Sequence, residues 1–134
     1  MNESRDAALA LHLDVELEDI TPAFAGGYYS QGGRTYLVLD PEEAEAQCAD
    51  RITEDLWTFR PEFLSDYMPL PPAQIQAMQR AMYEDANDAF LTLVGNDLDK
   101  LIGEAIRRDG RGHFLASYDN EEHQAGGFCI YRVD

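Results

Sequence analysis

The chain has 134 residues, of which 26 are acidic and 10 basic, a formal charge of −16. An ordinary domain of this size carries roughly 2 to 8. Phosphates would be repelled by such a surface, so direct nucleic-acid binding is not expected, and the self-repulsion calls for a cationic partner, a salty solvent or a demand for solubility. Apolar residues make up 45%, with six Phe, seven Tyr and one Trp, which excludes intrinsic disorder and allows a sizeable core.

The bases are nine arginines and one lysine, Lys100. Low lysine with high Asp and Glu is also the composition of halophilic proteins and of GC-rich genomes. Cys48 and Cys129 fall on core-facing positions and read as buried thiols, which fits a reducing cytoplasm. No apolar run approaches the roughly 18 residues of a membrane helix, and the N-terminus lacks a signal-peptide pattern. A cytoplasmic protein without membrane contact is expected.

In chain order, residues 1–20 form an N-terminal helical segment. Its helix is Arg5–Leu13, with Ala8, Leu9, His12 and Leu13 inward. The acidic link Asp14–Asp19 leads to a Thr21-Pro22 break. Residues 27–39 read as a β-hairpin around Gly32-Gly33. Its second strand, Thr35–Leu39, is nearly continuously apolar, which predicts a central strand covered on both faces. Asp40-Pro41-Glu42-Glu43 is a helix start, with Asp40 as cap and Pro41 in the first turn. That helix is expected over 41–59, stopping before Pro61. Phe63, Leu64 and Tyr67 suggest a half-buried turn.

A second long helix is expected over 73–94, with Ile75, Met78, Met82, Ala86, Ala89 and Leu93 inward, and a third over 97–108. The Gly-rich tail ends in a strand over 128–133, best placed beside Thr35–Leu39. The fold class is α+β: a small antiparallel sheet packed against about three main helices in a single domain.

On the 41–59 helix, Ala44, Cys48, Ile52, Leu56 and Phe59 share one side, and Glu43, Asp50 and Glu54 the other, with Trp57 beside them. Trp57 reads either as an interface anchor or as an aromatic packed under Phe63 or the N-terminal segment. Together with Glu42, these residues form the candidate partner-binding site: Glu42, Glu43, Asp50, Glu54 and Trp57. Such carboxylates can stand in for phosphates against rows of Arg and Lys.

Catalytic and metal motifs are weak. His12, His113 and His123 match no ligand spacing. Asp119-Asn120-Glu121-Glu122-His123 lacks the twelve-residue calcium loop and reads foremost as a solvated turn. Gly110-Arg111-Gly112-His113 is not a phosphate loop, and no nucleophile elbow, HExxH or CxxC occurs. The expectation is a non-enzyme with no cofactor and no metal. A metal-dependent enzyme using His113, Tyr118, Asp119 and His123 is the minor alternative.

The runs TYLVLDPEEAEAQ, ITEDLWTFRPEFL, GRGHFLASYDNEEH and FCIYRVD resemble a family of small acidic phage proteins of unassigned function. The resemblance extends from roughly Leu9 onward and is anchored by Leu56, Trp57, Gly110, Arg111, Gly112, His113, Phe114, Leu115, Tyr118 and Asp119. Arg60 and Asn120 depart from it. It implies a phage origin and carries over no catalytic residue. Small acidic phage proteins are often anti-CRISPR or anti-restriction inhibitors, so a DNA mimic is expected whose partner is a cationic host nuclease or surveillance complex. A phage regulatory or interaction protein without mimicry, able to form a homodimer, is the alternative. The anchors also have a structural role open to them: glycines for a turn, and Arg111 and His113 as donors to the Asp119–Glu122 loop.

Overall fold

The protein, seen here in a computed structural model, is described over residues 4–24 and 26–134. The expectation for residues 1–3 lies outside these. The chain is α+β, and its contacts divide it into two compact units, Met1–Cys48 with Asp109–Asp134, and Ala49–Arg108.

The first unit holds a five-stranded antiparallel sheet in the order β1-β2-β3-β5-β4, built from β1 (Thr21–Phe24), β2 (Tyr28–Gln31), β3 (Arg34–Leu39), β4 (His123–Ala125) and β5 (Phe128–Arg132). β3 is central, as expected, and pairs with β5 through Leu37 opposite Tyr131 and Leu39 opposite Cys129. Residues 36–39 are all buried. Helix α1 (Arg5–Leu13) is capped by Ser4. It buries Leu9 and Ala10 in a cluster with Ile20, Tyr36, Val38 and Ile130.

Two strands escaped the sequence pattern. Thr21-Pro22, read as a break, belongs to β1, an edge strand where proline costs no ladder bond. His123–Ala125, read as loop, is the opposite edge. Residues Arg111–Leu115 form a short helix, α7, where the glycines suggested only a turn.

Helix α2 begins at Pro41 and ends at Glu54. Its start is a reciprocal capping box. The Glu43 N–H donates to Asp40 Oδ1 at 2.8 Å, and the Asp40 N–H donates to Glu43 Oε1 at 3.0 Å. The expected continuation to 59 is instead a separate 3-10 turn, Leu56–Thr58.

The second unit contains α3 (Pro61–Ser65), α4 (Pro72–Met82), α5 (Ala86–Val94) and α6 (Leu98–Asp109). Ile52, Leu56, Leu64, Ile75, Phe90 and Leu101 are fully buried. The single helix expected over 73–94 is broken at Tyr83, which adopts φ 52°, ψ −133°. The break shifts the helical phase: Ala86, Phe90 and Val94 are buried after it, whereas Met82, expected inward, is 38% exposed.

Candidate functional site

The carboxylates of α2 separate by role. Glu42 is exposed and makes no ion pair among the described residues. Glu43 is engaged. Arg5 Nη1 lies 2.7 Å from its Oε1 and Nη2 donates to its Oε2 at 2.9 Å, while the same Arg5 donates to the Val38 carbonyl. The Arg5 guanidinium, then the Asp40 amide, hold the Glu43 carboxyl below its ordinary range. Arg5 therefore ties α1 to β3 and α2, and Glu43 presents no unpaired charge. Helical projection places it correctly on the acidic side but does not reveal this pairing, because Arg5 lies 38 residues away in sequence.

Asp50 and Glu54, in the second unit, are exposed and without ion pairs among the described residues. Trp57 is half-buried and sits on the 3-10 turn after α2, so its angular placement beside Asp50 and Glu54 does not follow from a continuous helix. Two side-chain amides clamp that turn. Gln79 Nε2 donates to the Trp57 and Phe59 carbonyls at 2.8 and 2.7 Å. Asn87 accepts from the Trp57 N–H at 2.9 Å and donates to the Thr53 carbonyl at 2.8 Å. Each bond satisfies a backbone group at the end of α2 or in the turn that follows it. Tyr83, between α4 and α5, holds a positive φ that costs a non-glycine residue about 1–3 kcal/mol. Its side chain is 66% exposed. On α6, Glu104 is withdrawn from the acidic surface by Arg107 and Arg108, which bring its pKa down to about 2.

In the first unit, Arg111 forms a hub. Its Nε and Nη2 donate to the two oxygens of Glu122 at 2.8 and 3.1 Å, a bidentate pair. The Tyr131 hydroxyl donates to the same carboxylate, as does Gln124 Nε2 at 3.2 Å. Burial would raise the Glu122 pKa, but the bonds from Arg111, Tyr131 and Gln124 outweigh it and keep the group ionised. The fully buried Tyr131 is pushed far upward by burial and by Glu122, so it stays a donor. This is the donor role expected of Arg111 towards the Asp119–Glu122 loop. His113 does not share it: it is exposed, with its ring edge-on to Phe114 at 4.9 Å. Gly110 takes a positive φ of 82°. Gly112 has no such angle; it is required because a Cβ there would lie 2.6 Å from the Asn120 carbonyl oxygen.

Donor atoms of Asp119, Glu121 and His123 lie within 4.8 Å of one another, and the His12 ring packs on His123 with centroids 4.8 Å apart. Burial, then the neighbouring His123, lower the His12 pKa, which keeps it neutral. This oxygen-and-nitrogen set matches a divalent cation such as Zn²⁺ or Mn²⁺ in ligand type. Tyr118, the residue before Asp119, is 58% exposed, with the Arg132 guanidinium 3.5 Å from the centre of its ring.

An open cleft of about 360 Å³ is lined by Pro41 and the Gln124–Cys129 hairpin. Its titratable side chain, Cys129, is buried, and burial raises the thiol pKa, so the thiolate needed for nucleophilic chemistry is disfavoured. Cys48 is likewise buried, and neither cysteine is in a disulfide.

Among the described residues no helix is long and apolar enough to cross a membrane. No known protein family, curated protein or solved structure matches the chain.

Proposed function

We propose that the protein is a non-enzymatic, phage-encoded inhibitor of a host nucleic-acid-binding defence system, of anti-CRISPR or anti-restriction type. It occupies a cationic nucleic-acid site with carboxylates in place of phosphates. One observation carries this reading: the acid excess is left uncompensated at the surface. The first unit has fifteen acids against four bases, and two of those bases, Arg5 and Arg111, are taken up by Glu43 and Glu122. Glu42 in that unit, and Asp50 and Glu54 in the second, remain exposed and unpaired among the described residues. Such charges accelerate encounter with an Arg/Lys-lined groove, and the attraction weakens as salt rises. Trp57, half-buried on a clamped turn of the second unit, supplies a preorganised aromatic contact.

The test is capture of partners from a bacterial host lysate on the tagged protein at low salt, elution by a salt gradient, and a nucleic-acid-binding assay of the eluted protein. The reading expects a nucleic-acid-binding protein that elutes as salt rises and loses its nucleic acid when the acidic protein is added. Capture of no cationic protein at low salt contradicts it. A second reading, an interaction protein without mimicry, is favoured by the exposure of Leu11 (64%) and Leu17 (49%). Binding through those residues would be insensitive to salt.

A further inference from the structure

We propose that Asp119, Glu121 and His123 form a binding site for one divalent cation of the Zn²⁺ type on the first unit. The site goes beyond the inhibitor reading and does not depend on it.

The donors are mixed, two carboxylates and an imidazole, and their ligand atoms lie within 4.8 Å of one another. His123 Nε2 stands 3.6 Å from Glu121 Oε2, too far for a hydrogen bond. Two donors of a tetrahedral Zn²⁺, each about 2.0–2.1 Å from the metal, are themselves about 3.3 Å apart. The imidazole and the Glu121 carboxylate are therefore spaced nearly as a shared ion requires. Asp119 accepts the Glu121 N–H on Oδ1 at 3.1 Å, which leaves Oδ2 for the cation. Both carboxylates are exposed, so small rotations of their side chains close the set.

The imidazole, and what holds it, separates this group from the chain's many exposed acids. The His12 ring, reaching from α1, packs on the His123 ring with centroids 4.8 Å apart and planes 31° from parallel. His123 is thus braced by an element 111 residues away in sequence. Glu122, between two of the donors, is committed to Arg111 and Tyr131, and the Asn120 N–H donates to the Ala116 carbonyl at 2.7 Å. These bonds fix the backbone from which the three donors project.

The charge at the site is also unmet. Glu43, Glu104 and Glu122 each have an arginine. Among the described residues neither Asp119 nor Glu121 has an arginine or lysine partner; the pair has His123 alone. Two carboxylates held this close repel each other, and a divalent ion between them removes the repulsion. The imidazole disfavours Mg²⁺ and Ca²⁺, which take oxygen ligands, and Zn²⁺ outranks Mn²⁺ in intrinsic affinity for such a set. Three protein ligands leave a fourth position to water. Bound there, the ion clasps the 119–122 loop to the start of β4.

The experiment titrates the chelator-treated full chain with ZnCl₂ by isothermal calorimetry in excess Mg²⁺. The parent is compared with H123Q, with D119N/E121Q and with E84Q/D85N/D88N, which neutralises exposed acids elsewhere. Each variant is checked by circular dichroism and melted with and without Zn²⁺. The parent is expected to bind one Zn²⁺ per chain in spite of the Mg²⁺. H123Q and D119N/E121Q should bind at least about tenfold more weakly, no less than the loss of an outer-shell partner costs, and E84Q/D85N/D88N should match the parent. Zn²⁺ should raise the melting temperature of the parent and not that of H123Q. No Zn²⁺ binding by the parent, or equal binding by parent and H123Q, overturns the site. Displacement by Mg²⁺, or an equal loss in E84Q/D85N/D88N, would show an adventitious ion only and overturns it as well.

Discussion

Gly112→Ala and Gly103→Ala add the same methyl group to a helical backbone, yet they are expected to move stability in opposite directions. Gly103 lies within α6 with nothing within 4 Å of an added Cβ. Alanine there removes backbone freedom from the unfolded chain and should stabilise by about 0.5–1 kcal/mol. At Gly112 the new Cβ would sit 2.6 Å from the Asn120 carbonyl oxygen and 2.8 Å from Glu121 C and Glu122 N. These are main-chain atoms, so no rotamer change relieves the contact, and the loop must retreat by the better part of an ångström. That loop is held by the Asn120 N–H on the Ala116 carbonyl at 2.7 Å and by the Arg111–Glu122 pair. Overpacking costs about 1–3 kcal/mol, and the disturbed ion pair adds to it, for a net loss of about 2–3 kcal/mol. In thermal melts followed by far-UV circular dichroism this is a fall of about 6–12 °C for Gly112→Ala, against a rise of a few degrees for Gly103→Ala. A Gly112→Ala protein that melts at or above the parent would refute the close approach of α7 to the 120–122 loop.

Arg111→Ala leaves Glu122 without its cation in a site where Arg111 and Glu122 are only 18% and 23% exposed. A loss of about 2 kcal/mol in urea unfolding is expected, below the cost for a fully buried pair, and Arg111→Lys should restore little because it cannot bind bidentately. The lowered Glu122 pKa makes its stabilisation present above the ordinary carboxylate value of 4.5 and lost as pH falls through the lower folded value. Arg111→Ala should accordingly flatten the acid limb of stability against pH. His12 titrates with the same sense. Its folded pKa lies below 6.5, so the unfolded chain takes the proton first and stability falls as pH drops below 6.5; His12→Gln should remove that part of the slope in urea midpoints measured between pH 5 and 7.

Much of the fold was legible in local chemistry. The helix Arg5–Leu13, the Gly32-Gly33 hairpin, the central apolar strand and its pairing with the C-terminal strand follow from period, turn residues and burial on both faces. The break at Tyr83 was not legible, because tyrosine gives no signal for a positive φ, whereas Gly95 marked the next break plainly. β1 and β4 are short edge strands with little alternation, so proline and polar residues concealed them. At the candidate site, the exposure of Asp50 and Glu54 agrees with the helical projection, and Glu42 is exposed as well. The withdrawal of Glu43 by Arg5 and the clamping of Trp57 by Gln79 and Asn87 depend on long-range contacts that spacing does not encode. Arg111 was recognisable as a donor to the Asp119–Glu122 loop, but its pairing with Glu122 in particular and the convergence of Tyr131 on that carboxylate were not.

The most direct test of the central claim is a competition assay on the nucleic-acid-binding protein captured from the host lysate. The parent chain and the Glu42→Lys/Asp50→Lys/Glu54→Lys variant are titrated against its bound nucleic acid at several salt concentrations. The account predicts that the parent displaces nucleic acid stoichiometrically at low salt, that displacement weakens steeply as salt rises, and that the charge-reversed variant, folded by circular dichroism, displaces it at least tenfold less well. Equal displacement by parent and variant, or displacement indifferent to salt, would contradict it.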